Sequence, residues 1–530
     1  MILGALFPFL AIAVPIATAD DAELSRLVAE DVARPVRPAG VDGQEFWNGN
    51  AIWFMYPPSF GFEPTSGKDV RYRYRILDAN GKAHAFEDAT PTASLARVWA
   101  EIPVGHTEVW CESHQKSSFP THCLRRQFRV FWKSAPYRPG TYPPAPRSAR
   151  EAARLGYEYV LSRPFLQKLV ETGRNDLGHE LNCYPTKMNA AVARAMLSYA
   201  RIAPERKDAA LRLARAAVDY LIARAQPADA PLAHFPPTYE GEERAARSYA
   251  GQNMLVYPAT AGSAYVSVYE ATGEKKYLEA AENVAATYLK LQGRDGTWPL
   301  KAYEKDGRPL SENRLTPYSV ISFLTALHRV TGKAVYRDAA DRAFAFIENG
   351  PLRTWNWEGQ FEDIEPSAKF INLTKHPPCT TAMLLVKRWP DDPARIAQAR
   401  ELLRFSEDQF VCWERPWRDQ RISFQQDEFC PWNVEPAVVE QYFYRDPCDS
   451  SAAKLINTYL ALYKATGNPL DYAKAKTLVE SCIRMQETCG RIPTVWAHPT
   501  CTRPESDWIN CMISTFEALG NFATVTEKEK

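Results

Sequence analysis

Residues 266–292 read VSVYEATGEKKYLEAAENVAATYLKLQ. Apolar side chains at helical spacing run up to Thr272-Gly273, and a second, alanine-rich helical pattern starts within a few residues. Glycine takes the left-handed backbone that closes a helix without a side-chain clash, so the Thr-Gly pair marks a C-terminus. The pattern returns at 321–347, ISFLTALHRVTGKAVYRDAADRAFAFI, and at 456–486, INTYLALYKATGNPLDYAKAKTLVESCIRMQ. Each copy predicts a helical hairpin. Two further hairpins lack the Thr-Gly stop: 189–224, broken at Ala203-Pro204, and 380–410, broken at Pro390-Asp391-Asp392-Pro393. Single helices over 147–172 and 507–526 can pair as first and last to complete a sixth.

Connections inside a hairpin are a few residues long, whereas those between hairpins are long and aromatic: 173–187, 227–257, 293–317, 350–378, 411–451 and 488–506. In antiparallel helices joined in series, alternate connections lie at opposite ends, so all the long loops share one face. Hairpin number and Tyr/Ala texture over residues 147–526 resemble the six-hairpin (α/α)6 toroids, a superfamily of glycoside hydrolases, unsaturated glucuronyl hydrolases, polysaccharide lyases and sugar epimerases. The resemblance implies a mainly α fold and a site among the long loops, and it leaves the reaction open. Helical solenoids, the other repeat architecture with paired helices, usually have shorter repeats without such loops.

The chain has 530 residues and a formal net charge of +1, with no long basic or acidic run, which points away from nucleic acid and anionic membrane surfaces. The first 19 residues, MILGALFPFLAIAVPIATA, combine an apolar stretch with a small-x-small ending and read as a secretory signal, giving a secreted or periplasmic protein. Residues 26–140 alternate apolar and polar side chains, as in DVRYRYRILDANGKAHAF and HTEVWCESH, with Asn80-Gly81 as a hairpin turn. They predict an immunoglobulin-like β-sandwich, closed off by the proline-rich linker YRPGTYPPAPR at 137–147. Cys111 and Cys123 flank a short loop and are expected to bridge a hairpin. No cysteine pair has zinc spacing, and no metal or cofactor motif is present.

The fourth long loop, RTWNWEGQFEDIEPSAKFINLTKHPP, carries Glu358, Glu362 and Asp363 beside Trp355 and Trp357, and ends near His376. Glycoside hydrolysis needs one carboxylic acid and one carboxylate, and this loop offers both together with indoles for stacking. Asp408, in LLRFSEDQFVCWERPW, is expected to face the toroid interior near Trp413. GHELNCYPTKM adds Asn182 and Tyr184, and RSYAGQNMLVYP adds Arg247, Tyr249, Asn253 and Tyr257 as sugar contacts. The leading expectation is an exported glycoside hydrolase for uronic-acid-containing oligo- or polysaccharides, for instance a β-glucuronidase, with its acid/base pair drawn from Glu358, Glu362, Asp363 and Asp408. β-Elimination by a polysaccharide lyase is the alternative, because Tyr257 and His376 suit removal of a proton beside a uronate carboxylate. A non-catalytic glycan-binding protein is a third.

Overall fold

The computed structural model describes residues 19–36, 50–115, 123–362, 365–414, 434–496 and 507–527. The signal-peptide reading therefore lies outside the described residues. None of their helices is long and apolar enough to cross a membrane.

Twelve helices form the six expected hairpins. The helices Pro185–Ile202, Tyr257–Thr272, Tyr318–Thr331, His376–Arg388, Asp449–Thr466 and Ile509–Glu527 touch one another in that order, and the last touches the first, closing an inner ring. Around it stand Lys207–Arg224, Lys275–Leu291, Ala334–Asn349, Pro393–Phe410, Pro469–Met485 and Ala149–Leu161, each packed chiefly on its own inner helix. The first long helix packs on the last, as expected of a sixth hairpin, but it is shorter than its pattern suggests. Pro164 starts a separate helix, Pro164–Thr172, because proline suits a first turn and not a helix interior. Gly156 lets this closing pair approach: a Cβ there would meet the Phe516 ring at 2.2 Å.

Each Thr-Gly stop works the same way. Thr272, Thr331 and Thr466 donate their hydroxyls to the carbonyls of Val268, Leu327 and Leu462 and accept from the amides of Glu274, Lys333 and Asn468. The following glycines have φ of 73°, 72° and 68°. These stops sit at the C-termini of inner helices, so all the short turns share one end. All six inner helices begin at the opposite end, among the long loops.

The N-terminal region departs from expectation. Strands Trp53–Phe54, Cys123–Lys133, Gly105–Gln115, Val70–Leu77 and Ala83–Asp88 form one five-stranded sheet in that order, parallel at the first pair and antiparallel elsewhere. A separate ribbon pairs Ser59–Gly61 with Thr92–Ser94. One face buries Tyr72, Tyr74, Ile76, Val109 and Phe131 with Phe60, Leu95 and Trp99. The other face has no second sheet across it among the described residues, and Phe128 and Val130 on the strand Cys123–Lys133 are 56% and 52% exposed. Alternation reveals a sheet with one buried face, but not how much covers it. The expected Cys111–Cys123 bridge is also corrected: both thiols are free, because the register sets Cys111 opposite Gln127 and Cys123 opposite His114.

The sheet is tied to the toroid through Asp408. This carboxylate is wholly buried, accepting from the amides of Met55 (2.7 Å) and Tyr56 (2.9 Å) and from the Gln409 side chain (2.8 Å). Trp53 donates its indole N–H to the Gln409 carbonyl at 2.8 Å beside them. Asp408→Ala strands two buried amide donors, so a loss of about 3 kcal/mol is expected in urea unfolding, with Asp408→Asn milder and turnover per folded molecule retained. Unchanged stability in both variants would remove Asp408 from this role.

Candidate functional site

Proline fixes where three inner helices start. Pro185, Pro258 and Pro377 lie in first turns, where the missing N–H costs nothing. Tyr257 and His376 are consequently the first residues of their helices, Tyr318 opens a third behind Pro317 at its N-cap, and all three line the space inside the ring. Further along, lining positions recur at three- and four-residue steps, which keeps them on one helix face. Lys187, Ala191 and Arg194 share one helix, Tyr257, Thr260 and Ser263 another, and Ser450 and Lys454 a third. Together with Lys375, Thr380, Glu440 and Ser514 they enclose a central cavity of about 330 Å³, within the range of small-molecule sites.

Positive charge dominates this cavity. Lys187, Lys375, Lys454 and Arg194 line it against one carboxylate among the described residues, Glu440. The six inner helices also aim their N-termini, the positive ends of their dipoles, at its mouth. Lys187 bonds the Glu362 carboxylate and lies 4.1 Å from the Trp508 ring centre. Tyr257 donates its hydroxyl to the same carboxylate. The Lys375 ammonium donates to the Glu440 carbonyl at 2.5 Å.

Burial alone would push the Glu362 carboxyl up, but the Lys187 charge and hydrogen bond and the Tyr257 hydroxyl outweigh it and hold the group below the usual carboxylate range. Burial and the Glu362 charge push the Tyr257 phenol well above its ordinary value, so it stays protonated. His376 is driven well below the usual imidazole range by burial and by Lys454, Lys375 and Lys187. A neutral imidazole and a protonated phenol therefore face one cation-lined space. The His376 and Tyr318 rings lie 5.4 Å apart.

Of the expected site residues, the structure brings Tyr257 and His376 to the cavity, with Glu362 behind its wall. Glu358 is buried outside the lining, its carboxylate accepting from the Asn372 amide at 3.0 Å, and burial raises it to about 7. Asp363 lies outside the described residues. Asp408 belongs to the interface with the sheet, and Trp413 donates to Glu407 at 3.0 Å in the same region. Trp357 is buried, and Trp355 packs against Phe405. Asn182 ties its loop together by donating to the Asp176 carbonyl, and Asn253 donates to the Pro236 carbonyl. Tyr184 packs on Trp508, Tyr249 stacks on Tyr239, and Arg247 is exposed on the short helix Arg244–Ser248. None of these last eight lines the cavity.

Expectation from sequence passed over Arg194, Lys454, Tyr318 and Glu440. The available signal was a lone cation among small residues in AAVARAM and SSAAKL, on helices otherwise buried.

A larger hollow of about 390 Å³ lies between the N-terminal helix Asp21–Val32 and the outer ring. Its charges satisfy one another, with Lys474 2.8 Å from Glu407, Arg404 2.9 Å from Asp31, and Arg400 paired with Asp471. It reads as a charge network that braces the toroid, so the central cavity is the candidate site.

These features define a class of protein: a six-hairpin toroid with an anion-receptive centre. No protein-family model and no curated protein matches the chain. Solved structures similar to it include a family 76 glycoside hydrolase from a bovine Bacteroides thetaiotaomicron strain, at 11% identity, covering 86% of this chain and 94% of that one with a TM-score of 0.48. Another is the cellobiose 2-epimerase of Spirochaeta thermophila, at 14% identity, 72% and 98% coverage and a TM-score of 0.49. A third is an unsaturated glucuronyl hydrolase specific for heparin, at 10%, 72% and 98%, and 0.45. Their reactions differ from one another, so the chemistry here is taken from this chain's own residues.

Proposed function

We propose that the protein is a carbohydrate-active enzyme that takes the uronate end of a glycan into the central cavity and removes the proton beside its carboxylate, as a polysaccharide lyase does. One observation carries this reading: a neutral imidazole and a protonated phenol share a cavity ringed by cations and helix N-termini. A proton next to a carboxylate is weakly acidic because its loss adds charge to a group already negative. Lys187 and Lys375 at the mouth neutralise that carboxylate and stabilise the charge that develops on it. His376 takes the proton. Tyr257 gives its hydroxyl proton to the departing glycosidic oxygen, leaving an unsaturated uronate.

Substrate binding also tunes the base. The same lysines that hold imidazole neutral in the free enzyme are offset by the incoming carboxylate, which raises the proton affinity of His376 when a proton is to be taken.

Hydrolysis is the second reading, and Glu440 favours it as a carboxylate on the cavity wall, with ionised Glu362 as its candidate partner. Export of the enzyme is part of this proposal, supported by the apolar stretch and small-x-small ending of residues 1–19. Incubation with a panel of uronic-acid glycans separates the reactions: new reducing ends with an ultraviolet-absorbing unsaturated uronate mean elimination, and reducing ends alone mean hydrolysis. Absence of both across the panel rejects the enzymatic reading.

A further inference from the structure

The cavity has two levels. At the mouth stand Lys187, Tyr257, Tyr318, His376 and Ser450, in the first turns of their helices. Lys454 lies one turn further in, about 6 Å beyond Ser450 at 1.5 Å per residue, and Arg194 two turns, about 10 Å, beyond Lys187. Hydroxyls dominate the rest of the deeper level: Ser263, Thr380 and Ser514.

The uronate carboxylate at the mouth is met by Lys187 and Lys375, and these two cations stand beyond it. No carboxylate of the described residues lies within ion-pair distance of the Lys454 ammonium, while Arg194 reaches Glu517 only at 3.6 Å. The Thr380 hydroxyl is buried with no partner among the described residues. Ser263 and Ser514 donate to the carbonyls of Ala259 and Asn510, which leaves their oxygens as acceptors. Side chains on a helix lean toward its N-terminus, so both cations reach back toward the mouth.

We infer that Lys454 and Arg194 form an oxyanion subsite that receives a sulfate or phosphate ester on the sugar seated in the cavity. The inference rests on the uronate reading of the mouth and extends it to a sugar with two anionic groups. A desolvated lysine without a counter-ion is costly, and burial followed by the Arg194 charge brings the Lys454 ammonium down to about 8. A tetrahedral oxyanion between the two cations relieves that cost, and the Thr380 hydroxyl is free to donate to it. An unmodified hexose hydroxyl would leave the Lys454 charge unmatched.

Isothermal titration of the full chain tests this in the His376→Gln background, where turnover does not disturb binding. The probes are an unsulfated uronic-acid disaccharide, the same disaccharide with one sulfate ester, and the same with one phosphate ester. One or both esters should bind roughly 10- to 100-fold more tightly than the parent, and the preferred ester names the oxyanion. Lys454→Met should erase the difference between the esters and the parent disaccharide, whatever its effect on the parent itself, while Lys454→Arg keeps that difference. Equal binding of all three probes, or a preference that survives in Lys454→Met, overturns the inference. If elimination itself is wrong, the unmodified protein gives no unsaturated product while the Lys454-dependent preference persists.

Discussion

His376→Gln is expected to lower kcat by roughly 10²- to 10⁴-fold, the range of a positioned general base, with near-unchanged substrate affinity and thermal stability. The side chain lies at the first residue of an inner helix, half-buried on the cavity wall, so its loss opens little core. The pH profile gives a sharper readout. The base acts in its neutral form, so activity falls as pH drops through its pKa. Burial and three lysines hold that value well below the ordinary imidazole figure in the free enzyme. The acidic limb of kcat/KM should therefore lie below about 6.5, while the limb of kcat, which reports the occupied enzyme, should move upward as the substrate carboxylate offsets the lysines. A kcat/KM limb at or above the ordinary value, or a glutamine variant with near-normal turnover, contradicts the role.

Tyr257→Phe carries the second large effect. The phenol is bonded to Glu362 and kept protonated by burial and by that carboxylate. Phenylalanine keeps the ring and removes only the proton donor, so kcat should fall by about 10²-fold or more while the fold persists. The loss should shrink for substrates whose leaving group is a good anion without protonation, such as a uronate carrying an aryloxide on C4, the carbon from which elimination expels the glycosidic oxygen. An equal loss for both kinds of substrate would make Tyr257 a positioning residue for Glu362 and Lys187.

Much of the architecture was legible because it rests on local chemistry. Thr272-Gly273, Thr331-Gly332 and Thr466-Gly467 end helices by hydrogen bonds within one turn, and the prolines at 185, 258 and 377 start them. The order of long and short loops then places the site at one end. Residue roles at that end were less legible, because they depend on which helix face meets which neighbour. Asp408 sits three and four residues from Phe405 and Cys412, which suggested an inward position. Its helix is in the outer ring, and the backbone of Met55 and Tyr56, some 350 residues away in sequence, claims the carboxylate. Trp357 looked like a sugar platform and is packed into the core instead, since an indole in a polar loop reads alike in either setting. Lys187, Arg194 and Lys454 were visible only as isolated cations. Their common direction emerges once six helices close a ring.

Proton abstraction beside a uronate carboxylate in the cation-lined cavity leaves a product that hydrolysis cannot make. Its most direct measurement is the product of a uronic-acid glycan incubated with the unmodified protein in heavy water, followed by mass spectrometry and ultraviolet absorbance. Elimination gives an unsaturated uronate at the new non-reducing end, formed by the unmodified protein and lost in His376→Gln. A saturated uronate at that end, or unsaturated product undiminished in His376→Gln, would contradict it.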